Sequence, residues 1–185
     1  MKMTDSQRIQ APRETVWAAL NDPDVLKQSI PGCLELVKSS ETDMEAKVQL
    51  KIGPVKATFN GKVRLEDLNP PESYRIAGEG SGGVAGFAKG GASVRLEEDG
   101  PDATILHYDV DAQIGGKIAQ LGARLIDSTA KRLAGEFFTT FGNVVAPQTE
   151  QDRPEAESAQ PEEAKKGWFG GLLKGKKDDV QEGEG

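Results

Sequence analysis

Residues 116–146 read GKIAQLGARLIDSTAKRLAGEFFTTFGNVVA, the longest helix-compatible run in the chain. Ile118, Leu121, Leu125, Thr129, Leu133, Phe137 and Val144 recur at three- and four-residue spacing, with Lys117, Gln120, Arg124, Asp127 and Lys131 opposite. That spacing predicts one amphipathic helix of many turns. No other segment could form a helix of similar length to pack on it. Its apolar face must therefore lie across a sheet. Whether this helix seals a core or roofs a cavity is the functional question.

The sheet is written in the residues before it. Residues 2–10 suit a first strand with Met3 and Ile9 inward, and Ala11-Pro12 ends it. Two short helices follow, from Arg13 to Leu20 and from Pro23, the second with Asp22 placed to cap it. Leu34 to Lys38 makes another strand. From Asp43 to Ile52 the alternation places Met44, Ala46, Val48, Leu50 and Ile52 on one face, and Gly53-Pro54 turns the chain. Val55, Ala57, Phe59, Gly61, Val63 and Leu65 continue that face. Tyr74, Ile76 and Gly78 do so next, then Ala92, Val94 and Leu96, and finally Leu106, Tyr108, Val110, Ala112 and Ile114. The outward positions are polar, so only one face of the sheet is covered. The expected fold class is α+β, a curved antiparallel β-sheet wrapped around a long C-terminal α-helix.

Small residues recur on both facing surfaces: Ala46, Ala57, Gly61, Gly78, Ala92 and Ala112 in the sheet, Ala119, Gly122, Ala130 and Gly135 in the helix. Because interiors normally pack as densely as organic crystals, this pattern means either a very close approach or a cavity. A cavity so lined would be apolar and suited to a hydrophobic small molecule. The expected lining is Leu121, Leu125, Thr129 and Leu133 from the helix, with Phe59, Tyr74, Leu106 and Tyr108 from the sheet.

Chemistry is harder to find. Gly78 to Gly83 matches G-x-G-x-x-G, but VAGFAKGG follows where a helix would have to open, so dinucleotide binding is rejected. A mobile Gly-rich loop at one end of the sheet is expected instead, either a gate to a cavity or a plain hairpin connection. His107, the only histidine, falls on the outer face. Cys33, the only cysteine, has no histidine partner to activate it and can form no internal disulfide. No catalytic constellation emerges, and no metal cluster. The chain reads as a non-enzyme.

The formal net charge of -7 over 185 residues is unevenly spread. Residues 1–147 carry 17 basic and 20 acidic side chains, without the footprint of a nucleic-acid binder. The N-terminus lacks an apolar signal core and no window is long enough to span a bilayer, so a cytoplasmic body is expected. The domain is predicted to end at 147. An acidic, Pro-containing linker follows over 148–164. In the tail, 165–185, Lys165, Lys166, Lys174, Lys176 and Lys177 flank Trp168, Phe169, Leu172 and Leu173. Such a segment suits peripheral docking on a membrane surface or a partner, with lysines reaching anionic headgroups.

Several stretches together, APRETVWAALNDPDVLKQSIPGC (11–33), KIGPVKATFNGKVRLEDLNPP (51–71), GFAKGGASVRL (86–96) and GGKIAQLGARLID (115–127), resemble the CoxG family of carbon monoxide dehydrogenase subunits, within the START-like (SRPBCC) helix-grip superfamily. The resemblance implies a cavity for lipids or other hydrophobic molecules between sheet and helix. It also implies association with a molybdenum hydroxylase of the carbon monoxide dehydrogenase type, at the inner face of the cell membrane. A bound quinone, menaquinone or ubiquinone, is then the expected ligand, delivered between dehydrogenase and membrane quinone pool. The alternative is a recruitment or assembly factor that carries no ligand. No family motif assigns catalytic residues.

Overall fold

The computed structural model describes residues 1–146. The linker over 148–164 and the docking segment with Lys165, Lys166, Trp168, Phe169, Leu172, Leu173, Lys174, Lys176 and Lys177 lie outside the described residues.

The chain enters as β1 (Lys2–Ile9), then α1 (Arg13–Leu20) and α2 (Pro23–Ser29). Pro12 starts α1. Asp22 caps α2, its carboxylate accepting from the backbone N–H of Asp24 at 2.9 Å, while Pro23 takes the first helical position, where no N–H is needed. Six strands follow: β2 (Cys33–Lys38), β3 (Asp43–Ile52), β4 (Val55–Asn69), β5 (Ser73–Ser81), β6 (Phe87–Glu98) and β7 (Thr104–Gly115). With β1 they form one antiparallel sheet of seven strands in the order β1-β7-β6-β5-β4-β3-β2. The order is a meander closed by the first strand returning to the last.

The register explains the small residues. Gly61 pairs with Ala46 and Gly80, Gly78 with Gly90, and Gly90 with Ala112, giving a low band across five strands. A side chain at Gly90 would collide with the backbone at Asp111 and Ala112, so that crossing admits only glycine.

The C-terminal segment differs from the single helix expected. Lys117–Leu121 is a turn of 3-10 helix, and the chain breaks at Gly122, where φ is +93°. The long helix, α3, begins only at Ala123 and runs to Val145. Gly122 adopts a conformation essentially reserved for glycine, so the break is written at that residue. The rotation it introduces sets the helix phase. Ile126, Thr129, Ala130, Leu133, Ala134, Phe137, Phe138 and Phe141 turn inward, whereas Val144, expected inside, is exposed.

The core lies at the α1–α2 end. Val16 and Leu20 of α1, Leu65, Tyr74, Leu96, Leu106 and Phe141 are buried together. Aromatic contacts tie the layers: Trp17 meets Tyr74 edge-on at 5.4 Å, and Phe137 stacks on Phe141 at 5.5 Å. Arg13 secures the start of α1 through Glu98 at 3.3 Å.

Candidate ligand-binding site

Two apolar cavities lie between the inner face of the sheet and α3. The first, about 380 Å³, occupies the end of the sheet farther from α1. Its walls include Val48, Leu50, Ile52, Phe59, Gly61, Gly80, Ala88 and Ile114 from the strands, and Ile118, Ile126, Thr129, Ala130 and Leu133 from the C-terminal segment. The second, about 340 Å³, is bounded by Met44, Ala46, Tyr74, Ala92, Leu106, Tyr108, Ala134, Phe137 and Phe138. Ile30, in the link from α2 to β2, lines both, so the cavities adjoin. Larger depressions of about 690 and 580 Å³ lie on the outer face of the sheet. They are shallow and edged by charged side chains such as Arg75 and Glu79.

The expected lining residues divide between the cavities. Phe59, Thr129 and Leu133 line the first; Tyr74, Leu106 and Tyr108 line the second. Leu121 and Leu125 line neither. They pack on the β3–β4 turn, where a Cβ at Gly53 would stand 2.7 Å from Leu125. The break at Gly122 causes this correction, since it gives Ile118 and Ile126 the inward places that an unbroken helix would assign to those leucines. Gly122 and Gly135 also leave the interior, each exposed with nothing within reach of an added Cβ. Ala46 and Ala92 open the second cavity, while Gly61 and Ala130 open the first. Gly80, Ala88 and Ala134 contribute the same way and escaped the sequence reading. Gly80 and Ala88 continue the alternation of β5 and β6, a signal the G-x-G-x-x-G pattern obscured.

That pattern is a correction too. Gly78 and Gly80 sit inside β5, and the connection to β6 is only the short turn around Gly83–Ala85. It is closed by the Gly82 N–H donating to the Gly86 carbonyl at 2.8 Å. Gly82 lies against the Phe59 ring, so the turn rests on the wall of the first cavity.

Polar groups at the cavities are few. Among the described residues Thr129 is the only polar side chain lining the first. Tyr74 and Tyr108 supply hydroxyls to the second. Burial pushes the Tyr74 phenol far above its usual range, and Tyr108 is raised by burial and then by the Asp5 carboxylate. Both phenols stay neutral at physiological pH, and the Tyr108 hydroxyl faces the Asp5 carboxylate. Apolar walls with single hydroxyls suit a hydrophobic molecule carrying an acceptor or two, because a buried acceptor without a partner is costly. His107 lies on the outer face, its Nε2 3.0 Å from Glu97. Cys33 is half-buried with its thiol raised by burial, and donates to the Glu35 carbonyl at 3.4 Å. Among the described residues no cluster of His, Cys, Asp and Glu could hold a metal ion, and no helix is long and apolar enough to cross a membrane.

A curved sheet gripping a long helix over an apolar cavity defines the START-like (SRPBCC) helix-grip class. Solved structures agree. A START superfamily protein from Mycobacterium smegmatis matches with TM-score 0.60 and 15% identity, over 78% of this chain and 96% of that one. An aromatase/cyclase from a Streptomyces species matches with TM-score 0.55 and 12% identity, over 78% and 93%. These two show the fold alone. A conserved protein from Geobacillus kaustophilus is nearer, at TM-score 0.75 and 30% identity over 79% of this chain and 95% of that one. No curated protein matches. The family model for CoxG, a carbon monoxide dehydrogenase subunit, matches residues 6–146, and the chain belongs to that family.

Proposed function

We propose that this protein binds a respiratory quinone, such as menaquinone, between sheet and helix and carries it between a carbon monoxide dehydrogenase-type molybdenum hydroxylase and the membrane. The observation that carries this reading is the pair of adjoining apolar cavities, each supplied with at least one hydroxyl and neither, among the described residues, with a charged side chain. An isoprenoid tail needs apolar walls; a quinone ring needs donors for its carbonyls. Thr129 offers one donor and Tyr74 another. The family supports the dehydrogenase as partner. The basic–aromatic segment over 165–177 would hold the domain at the inner face of the membrane.

The domain acts here as a carrier and not as an enzyme. Acid–base catalysis would need titratable groups poised near neutrality at the cavity, and among the described residues its titratable side chains are two phenols raised above their usual range. Recruitment of the dehydrogenase without a ligand would leave two unfilled cavities without a purpose.

Trp17, in contact with Tyr74, is a built-in reporter. In a Trp168→Phe background, a water-soluble menaquinone analogue should quench Trp17 saturably at one equivalent. Unchanged emission, together with no competition against a bound apolar dye, would sink the carrier reading.

A further inference from the structure

We infer that the three connections at the far end of the sheet form a docking surface for an anionic lipid bilayer, at the end where the first cavity lies. In the antiparallel order β3, β5 and β7 run in one direction, so the chain leaves all three at the same end. The connections also touch. Gly53 of the β3–β4 turn packs on Leu121 and Leu125, and Gly86 after β5 packs on Gly115 and Ile118 after β7.

Their composition sets them apart. Residues 51–56, 81–89 and 115–125 contain Lys51, Lys56, Lys89, Lys117 and Arg124 and no acidic residue, in a body that is otherwise slightly acidic. All five are exposed, and none forms an ion pair among the described residues. The lysines at strand positions nearby behave differently: Lys47 pairs with Glu35 at 3.2 Å and Lys62 with Glu45 at 3.8 Å. Glu79, the register partner of Lys89, and Asp127, beyond Arg124, mark the edge of the basic zone.

In the middle of this basic end stand two exposed apolar side chains, Val84 free of the fold and Phe87 with its ring resting on Gly115. Val84 is 96% exposed at the tip of the β5–β6 turn, and Phe87 is 44% exposed beside it. A large apolar side chain held in water by a buried turn (Ala85 beneath it is 4% exposed) has a cost that an interfacial position removes. Cations ringing apolar tips match an anionic bilayer, where the lysines meet headgroups and the tips enter the acyl boundary. An acidic protein surface would satisfy the charges and leave Val84 exposed. Docking in this pose sets Phe59, Ile52 and Ile118 of the first cavity next to the lipid, so a ligand could pass without crossing water. This surface rests on the proposed carriage of a membrane lipid, and supplies the site of exchange.

The test uses the full chain with Val84→Cys in a Cys33→Ser background, labelled with an environment-sensitive fluorophore. With vesicles of phosphatidylcholine containing roughly 30% phosphatidylglycerol, an anionic surface that attracts lysines, the label should shift to the blue. Lipids carrying a shallow quencher should quench it. Lys56→Glu and Lys117→Glu should each lower vesicle partition about five-fold or more at low salt. Vesicle binding with the label still at its aqueous emission would overturn the proposal, because the tail would then tether the domain with the loops facing water. A blue shift only on adding the dehydrogenase would overturn it in favour of a protein partner. Either result leaves Trp17 quenching by a soluble quinone untouched, so failure of the docking surface and failure of the carrier reading are told apart.

Discussion

Tyr108 of β7 stacks on Phe138 of α3, ring centroids 5.3 Å apart and planes 27° from parallel. The pair fastens the last strand to the last helix at the wall of the second cavity, and Phe137 braces Phe138 edge-on at 5.0 Å. Fixing the helix here lets the sheet and helix stand apart elsewhere, over the small residues, without collapse. Phe138→Ala should lower stability by about 3 kcal/mol in urea unfolding, with loss of ligand affinity. A change below about 0.5 kcal/mol would show that the cavity is held open by other contacts.

Ala130 faces the first cavity from α3. Ala130→Trp should fill that space, leave stability within about 1 kcal/mol of wild type, and weaken quinone-analogue binding at least ten-fold. Leu125→Met, at the Gly53 turn outside both cavities, is the matched control and should bind as wild type. Isothermal titration of both variants reads the outcome; equal affinities would remove the first cavity from the ligand site.

Gly122 breaks the C-terminal segment with φ +93° and ψ 151°. An added Cβ meets no neighbour there, so the penalty of Gly122→Ala is conformational and not steric. We expect a loss of about 1–3 kcal/mol, seen as a lower denaturation midpoint. No loss would mean that the 3-10 turn and α3 can merge into one helix without disturbing the sheet.

Asp43 accepts from Arg64 at 2.9 Å and from Ser40 at 2.8 Å. The Arg64 hydrogen bond, then that of Ser40, holds its carboxyl below the ordinary value of 3.8. Its folded value lies under its unfolded one, so the native state binds fewer protons. The contribution is present above pH 3.8 and is lost as pH falls through the lower folded value. Both side chains are largely in water, so the effect is small. Asp43→Asn should flatten the acid limb of a stability–pH profile by slightly lowering stability near neutrality and converging with wild type at low pH; identical profiles at neutral pH would show that the carboxylate contributes nothing.

The inward faces of the strands were legible because a strand has a period of two, and Phe59, Tyr74, Leu106 and Tyr108 each sit in an unbroken alternation. The α-helical face was legible only after Gly122. Counting three and four from Ile118 carries the phase through a residue that is not helical, which is how Leu121 and Leu125 came to be expected inside in place of Ile126. Likewise Gly78 and Gly80 looked like loop because glycine is common in turns. Their real reason lies in the sheet: Gly78 faces Gly90 and Gly80 faces Ala88 across the β5–β6 hairpin, and a Cβ at Gly78 would stand 2.9 Å from the Lys62 carbonyl of β4. A cavity is the hardest feature to read, since Ala46, Gly61 and Ala130 report what is missing and only the position of the opposite wall decides between contact and void.

Organic extraction of the full-length protein, purified without detergent and analysed by mass spectrometry, tests the central claim most directly. The account expects an isoprenoid quinone near one equivalent, and strongly reduced amounts from Ala130→Trp. Finding no quinone or other lipid, or equal amounts from both proteins, would contradict it.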